Sequence, residues 1–261
     1  MLTEGARSLA FESPDWFPGC KHVYWWRNDL HPGNRTLMLA SQYTFTRAYY
    51  DDLKRHLYNP LNVKVRLVNA GRTSYQLYEE TSSVVPRGSE NVGDQSSSEG
   101  GSSGGDDVLF TSTINYVNSS TATGRPEALP EEFRALFHGH TLPVDKVTRV
   151  EKYPQNAVTI SYMTRHSDAD MQFHVNQSQY IKFCCDIGNT VCQRGGFSHL
   201  TGDLSKWKIK RCTNLFLVEN LPNQTLDIHV WQNQDNPYML HFYIEREGTN
   251  VFQGMLEFYQ T

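Results

Sequence analysis

The stretch Asp168-Ala-Asp-Met-Gln-Phe-His-Val-Asn-Gln-Ser-Gln-Tyr180 places acids, an imidazole and amides close together in the sequence. The spacing from its Asn and Tyr residues to Phe183 and Ile187 sets these side chains on one face of a helix, predicted over 175–187. A helix N-terminus offers unpaired N–H groups and partial positive charge, which suit a developing oxyanion. Because the acids directly precede this helix, the segment predicts a site for acyl chemistry.

Composition narrows the class of protein. The 261 residues include five cysteines, none in a Cys-x-x-Cys pair, so a disulfide framework is not expected. Cys184 and Cys185 are predicted to pack as buried helix residues and not to act as nucleophiles. No segment approaches ~20 consecutive apolar residues, so no membrane span is expected. The N-terminus lacks the pattern of a secretory signal, and we therefore expect an intracellular, cytoplasmic protein.

The formal net charge of −4 is concentrated in one segment. Residues 90–107 hold five acidic residues and no Lys or Arg, so the rest of the chain is nearly neutral. Without a basic run, nucleic acid is not expected as a partner. Residues 86–107 are mostly Gly, Ser and acidic residues with almost no apolar side chain, which predicts a flexible loop. Residues 84–89 resemble an engineered protease site before a linker, and a natural hairpin loop is the alternative.

Both halves of the chain repeat one order of elements, a helix followed by antiparallel strands. The first helix is predicted over 39–57 from residues spaced by four and three, namely Leu39, Tyr43, Thr46, Tyr50, Leu53 and Leu57. Strands are predicted from alternating apolar and β-branched residues at 63–68, 75–78, 108–117, 207–219, 225–231, 238–245 and 251–259. A Pro-bearing boundary separates an N-terminal lobe, 1–142, from a C-terminal lobe, 143–261. The repeat predicts two copies of one α+β unit.

The pattern Asp-x-Asp-x-x-x-His-Val-Asn-x-x-x-Tyr at 168–180 resembles the signature of hotdog-fold acyl thioesterases. These include plant acyl-carrier-protein thioesterases and bacterial acyl-CoA thioesterases. Residues 123–130 resemble the end of the first hotdog in such proteins. The resemblance implies a tandem (double) hotdog, in which each long helix is wrapped by an antiparallel sheet. It also implies hydrolysis of an acyl thioester of coenzyme A or acyl carrier protein without a metal or a redox cofactor, and a homo-oligomer is an open alternative.

The same resemblance assigns catalytic roles in the C-terminal lobe. Asp168 or Asp170 would attack the thioester carbonyl or activate a water molecule. His174 and Asn176 would orient that acid and the thioester. Capping is the alternative, because Asp and Asn also cap helices and a His can satisfy a neighbouring carbonyl. A metal site that includes His166 is disfavoured, since the spacing matches no standard site.

Substrate contacts are predicted at two further places. Gln172 stands where plant members of the family have Asn, and Tyr180 follows on the predicted helix. Lys206, Lys208 and Lys210 alternate with bulky residues, so they are candidates to meet the phosphates of coenzyme A. A solvated strand face explains the same alternation.

The two halves differ in polar content when their helices are aligned. Placing Tyr43 on Tyr180 sets Leu37 and Leu39 where the second helix has His174 and Asn176. We therefore expect one site, in the C-terminal lobe. The rival functions are a non-catalytic acyl-binding protein on the same scaffold and a hotdog dehydratase, which needs His and an acid from opposite lobes. The tryptophans Trp25, Trp26 and Trp231 are predicted to be core residues.

Overall fold

The computed structural model describes residues 33–51, 61–84, 108–135, 147, 149–170 and 173–260. These residues form a mostly antiparallel sheet with few helices. The strands are β1 Asn34–Phe45, β2 Leu61–Ala70, β3 Ser74–Ser83, β4 Val108–Ser120, β5 Val158–Met163, β6 Ile209–Phe216, β7 Thr225–Gln232, β8 Met239–Arg246 and β9 Thr249–Phe258. The α-helices are α1 Arg47–Asp51, α2 Glu131–Ala135 and α3 Gln177–Gln193, and short 3-10 helices cover His166–Asp168 and Leu204–Lys206.

The chain divides into two compact units. The first comprises Met1–Thr36, Thr44–Thr113 and Asn118–Leu142. The second comprises Leu37–Tyr43, Ile114–Val117 and Pro143–Thr261. Parts of β1 and β4 therefore belong to the second unit, although they lie early in the sequence.

In the first unit, β2 pairs antiparallel with β3, and alternate residues of β3 are buried. Phe133 of α2 is buried and meets the ring of Tyr75 edge-on, with the ring centroids 5.2 Å apart. This contact fixes α2 beside β3.

In the second unit, antiparallel pairing gives the strand order β6-β9-β8-β7-β5. The 17-residue helix α3 packs on β7 and β9 through its buried side chains. Gly188 permits the close approach, because a Cβ there would lie 3.1 Å from a Leu204 methyl group and 3.3 Å from the Phe242 ring. The N-terminus of α3 is thereby held at a fixed place beside the sheet.

The structure confirms the predicted second helix, which continues past 187 to Gln193. It also confirms the predicted strands, with shifts of a few residues at their ends. β5 was not predicted. The described helices include none that is long and apolar enough to cross a membrane.

The helix predicted over 39–57 is wrong where it overlaps β1, since residues 39–45 are extended and α1 begins only at Arg47. The strand-favouring residues Tyr43, Thr44 and Phe45 lie in a strand of the sheet. Pairing with neighbouring strands outweighs the helix-like spacing of four and three residues in this segment. The alignment of Tyr43 with Tyr180 fails as well, because one residue lies in a strand and the other in a helix. The predicted loop 86–107 lies outside the described residues, as do Trp25, Trp26 and Gln172.

Candidate active site at the entry of helix α3

The segment before α3 is a closed loop. Asn176 caps the helix, since its Oδ1 accepts hydrogen bonds from the Ser178 N–H at 2.9 Å and the Ser178 hydroxyl at 2.8 Å. The Asn176 N–H donates to the Asp168 carbonyl at 2.8 Å, and Ala169 bridges Val175 in antiparallel fashion. These contacts therefore hold the two ends of the loop, Asp168 and Asn176, next to each other at the start of α3.

Asp168 faces inward. It is 3% exposed, and its Oδ2 accepts from the Tyr162 hydroxyl at 3.0 Å and from the Arg165 N–H at 2.8 Å. Burial and this bond to Asp168 together raise the pKa of Tyr162, so the phenol stays a donor. These bonds fasten the 3-10 turn that leads into the loop.

Asp170 and His174 lie at the exposed end of the loop. The Asp170 N–H donates to the His174 carbonyl at 2.9 Å, and the His174 N–H donates to Asp170 Oδ1 at 3.3 Å. Phe173 is 72% exposed and has a φ of 61°. A left-handed conformation of a bulky residue stores roughly 1–2 kcal/mol, and such strain clusters at functional sites.

Glu219 completes this group, and the sequence did not single it out. Its Oε2 lies 3.6 Å from His174 Nε2, with about a quarter of the imidazole and under half of the carboxylate exposed. Glu219 ended a predicted strand in the sequence. The signal that was available is a polar pair, Glu219-Asn220, directly after the apolar residues 215–218.

A partly buried network holds the main chain of Glu219 in place. Arg246 donates to the Glu219 carbonyl at 3.2 Å, to Asn220 Oδ1 at 2.8 Å and to Gln224 Oε1 at 2.8 Å. Asn220 in turn donates to the Tyr180 hydroxyl at 2.7 Å, and its carbonyl accepts the Val175 N–H at 2.8 Å. The loop after β6 is thereby tied to the start of α3.

Tyr180 belongs to the core behind the site. It is 3% exposed and stacks on Phe252 with centroids 4.9 Å apart. Burial raises the pKa of Tyr180, which keeps its hydroxyl neutral. Tyr180 therefore supports the helix entry from within.

The three lysines lie elsewhere. Lys206 ends a 3-10 helix that is bound to α3, because the Leu204 N–H donates to the Asn189 side chain. Asn189 lies roughly 20 Å along α3 from Asn176. Lys208 is exposed, and Lys210 is paired with Glu257 at 2.9 Å. The structure thus brings Asp170, His174 and Glu219 together and does not bring the lysines to them.

Cys184 is buried as predicted, whereas Cys185 is half-buried. Cys184 is buried, and burial raises its pKa well above the ordinary value for a thiol. Burial also raises the pKa of Cys185 to about 11. Among the described residues, no group of three or more His, Cys, Asp and Glu side chains is arranged to hold a metal ion.

Comparison with known proteins gives a likeness of structure. No family model matches the sequence, and no curated protein sequence matches it. An acyl-ACP thioesterase from Bacteroides thetaiotaomicron is 12% identical, with a TM-score of 0.61, over 88% of this chain and 79% of its own. A 12:0-ACP thioesterase from Umbellularia californica is 13% identical, with a TM-score of 0.62, over 99% and 85%.

A third structure carries the provisional name oleoyl thioesterase and comes from Lactobacillus plantarum. It is 13% identical, with a TM-score of 0.65, over 99% of this chain and 86% of its own. At such low identity the likeness speaks for the fold alone. In its fold, the chain therefore resembles the hotdog-fold acyl thioesterases, the superfamily indicated by the pattern at 168–180.

Proposed function

We propose that the protein hydrolyses fatty acyl thioesters, of coenzyme A or of acyl carrier protein, at one site at the entry of α3. The observation that carries this proposal is the cluster of Asp170, His174 and Glu219 at the exposed end of a braced loop. One carboxylate bonded to the His174 main chain and a second beside its imidazole supply the types of group that general acid–base chemistry needs. The proposal includes two hotdog lobes, 1–142 and 143–261, each with a helix wrapped by its sheet.

In this proposal Asp170 is the general base. It takes a proton from a water molecule, and the resulting hydroxide attacks the carbonyl carbon of the thioester. The tetrahedral intermediate then collapses, the C–S bond breaks, and the thiolate leaves. Because Asp168 is buried and already accepts two hydrogen bonds, we assign it a positioning role.

His174 would stabilise the oxyanion of that intermediate. The Ser178 N–H at the helix N-terminus is occupied by the Asn176 side chain, so it is not directed at a substrate. Glu219 Oε2, 3.6 Å from His174 Nε2, fixes the orientation of the ring. A ring N–H at this place would donate to the carbonyl oxygen on which negative charge develops.

Substrate contacts at two places remain predictions from the sequence. Gln172 lies in the loop between Asp170 and His174, outside the described residues. Lys206 and Lys208 are candidate contacts for the phosphates of coenzyme A. In coenzyme A the pantetheine arm separates these phosphates from the thiol. Lys210 is already paired with Glu257, so it would have to contact a phosphate while keeping that ion pair.

The test is a panel of acyl-CoA and acyl-carrier-protein thioesters with detection of the free thiol. Asp170→Asn, His174→Ala and Glu219→Gln should each lower turnover by roughly 10²–10⁴. Asp186→Asn is the matched control, an exposed acid on α3 away from the loop, and should keep full turnover. Wild-type turnover in all three site variants would refute the proposed site. If the wild type hydrolyses no thioester, the alternative of a non-catalytic acyl-binding protein replaces the proposed function.

A further inference from the structure

A row of side chains crosses the sheet of the second unit from strand to strand. Antiparallel pairing sets each member directly opposite the next, and directly opposed residues point to the same face. In strand order the row is Thr213 of β6, Met255 of β9, His241 of β8 and Trp231 of β7.

The row lies on the face that α3 does not cover. A Cβ at Gly254 would lie 3.5 Å from the sulfur of Cys184 on α3, so Gly254 faces the helix. Met255 is the next residue of β9, and successive residues of a strand point to opposite faces. The row is thus separated from α3 by the thickness of the sheet.

Residues 149–153 cross this second face, and we call them the strap. Gln253 holds the strap at Val150, since its Nε2 donates to the Val150 carbonyl at 2.7 Å and its Oε1 accepts the Val150 N–H at 2.8 Å. Tyr153 holds the other end by stacking on His229, with centroids 3.6 Å apart and planes inclined by 9°. The strap therefore forms a wall above the sheet.

A cavity of about 420 Å³ lies between the strap and the row. Its size falls within the range of small-molecule sites. Trp231 lines it and is only half-buried, which corrects its prediction as a core residue. Met239 and Met255 add flexible apolar walls that suit an aliphatic chain.

One polar group in this cavity has no partner among the residues that the structure describes. Thr213 is 8% exposed, and its hydroxyl has no hydrogen bond within the part of the chain that the structure describes. Buried hydroxyl groups in native proteins are almost always hydrogen-bonded, so this one calls for a partner from outside the protein. Thr213 lines the cavity, which places that partner inside it.

The cavity also has a positive edge. Arg211 lies two residues from Thr213 on β6 and therefore shares its face. Both Arg211 and Lys210 reach Glu257, each at 2.9 Å, so two cations share one carboxylate. Burial lowers the pKa of His241, which keeps that ring neutral at pH 7. One positive charge remains uncompensated among these groups.

We propose that this cavity binds an unesterified fatty acid. The aliphatic chain lies against Met239, Met255 and Trp231. The carboxylate accepts a hydrogen bond from the Thr213 hydroxyl and faces Arg211. This site lies across the sheet from α3 and does not rest on the proposed hydrolysis.

Titration calorimetry of the full chain with decanoate tests the proposal. Thr213→Val removes the hydroxyl at constant shape, and Arg211→Gln removes the cation, so each should raise the Kd about tenfold. Met255→Trp should abolish binding by filling the cavity, and decanol should bind more weakly than decanoate. Thr249→Val, an exposed threonine at the start of β9, is the matched control with unchanged Kd.

Melting curves of each variant show that it is folded before it is titrated. Absence of decanoate binding to the wild type would overturn the proposal. So would wild-type affinity in Thr213→Val and Met255→Trp together. Loss of binding in His174→Ala, with affinity kept in the cavity variants, would place the acid at the helix entry and also reject the cavity.

Discussion

Two acids that stand two positions apart, Asp168 and Asp170, show how surroundings divide the work of similar residues. Asp168→Ala should lower the free energy of unfolding by about 1–3 kcal/mol, because it removes the buried carboxylate that accepts from the Tyr162 hydroxyl and the Arg165 N–H. Asp170→Asn should change it by less than about 0.5 kcal/mol, since the residue is exposed. Urea denaturation measures both. The reverse order of effects would contradict the assignment of positioning and catalytic roles.

The Thr213 hydroxyl allows a test of stability at a single atom. Thr213→Val should raise the free energy of unfolding of the ligand-free protein by about 1 kcal/mol, because it removes a buried hydroxyl that has no described partner. Thr249→Val should stay within about 0.5 kcal/mol of the wild type. A loss of stability in Thr213→Val, measured by denaturant unfolding, would show that the hydroxyl is satisfied within the protein.

The candidate site was only partly readable in the sequence. Asp170, His174 and Asn176 lie within one short segment, so their proximity follows from local geometry alone. Glu219 reaches His174 only because Arg246 and Asn220 tie the loop after β6 to the start of α3. Contacts of this kind depend on tertiary pairing, which no local pattern encodes.

Among the elements, α3 was predictable and β1 was not. The spacing of α3 places apolar residues on one face over four turns, and Asn176 supplies its cap. The segment of β1 has a similar spacing but also carries strand-favouring aromatic and β-branched residues. β5 is short and largely exposed, but residues 158–162 alternate apolar and hydroxyl side chains, so its sequence does carry a strand signal.

The helix–sheet contact of α3 should protect its thiols. Cys184 on α3 and Cys212 on β6 are buried, and burial raises the pKa of Cys212 to about 12. Because the thiolate is the reacting form, both should be alkylated by iodoacetamide at pH 8 at least about tenfold more slowly in the native protein than in urea. Mass spectrometry of the labelled peptides gives the rates. Equal rates in both conditions would mean that α3 separates readily from the sheet.

At the scale of the whole molecule, stability should fall towards acid pH. Burial lowers the pKa of His241 from its ordinary value of 6.5, so the stability carried by the neutral ring is complete above that value. It is lost as the pH falls through the lower pKa of the folded state. Melting temperatures between about pH 7.5 and pH 5 should therefore fall more steeply for the wild type than for His241→Gln. Parallel curves would exclude this contribution.

Glu257 extends the same dependence to lower pH. Burial would raise its pKa, but the hydrogen bond from Lys210 and the charge of Arg211 outweigh burial and lower it. The stability from this carboxylate is present above its ordinary pKa of 4.5 and is lost as the pH falls through the lower folded value. Glu257→Gln should flatten the melting curve below about pH 4.5, and an unchanged acid limb would contradict this.

The division of the chain also has a long-range component. The sequence predicts a proline-bearing boundary near residue 143, but it carries no sign that Leu37–Tyr43 and Ile114–Val117 belong to the second unit. Asn214 of β6 donates to the Ser41 hydroxyl at 3.1 Å within that unit. A single hydrogen bond across such a sequence separation leaves no local trace.

The two hydrogen bonds between the Gln253 side chain and Val150 affect how this part of the chain can evolve. Both hydrogen bonds end on main-chain atoms, so the strap is held whatever side chain stands at position 150, proline excepted because it lacks the N–H. That side chain is nevertheless part of the cavity wall. Substitutions at 150 can therefore remodel the shape of the cavity while its anchorage stays constant. Among descendants of this chain, we expect position 253 to be fixed and position 150 to drift with the ligand.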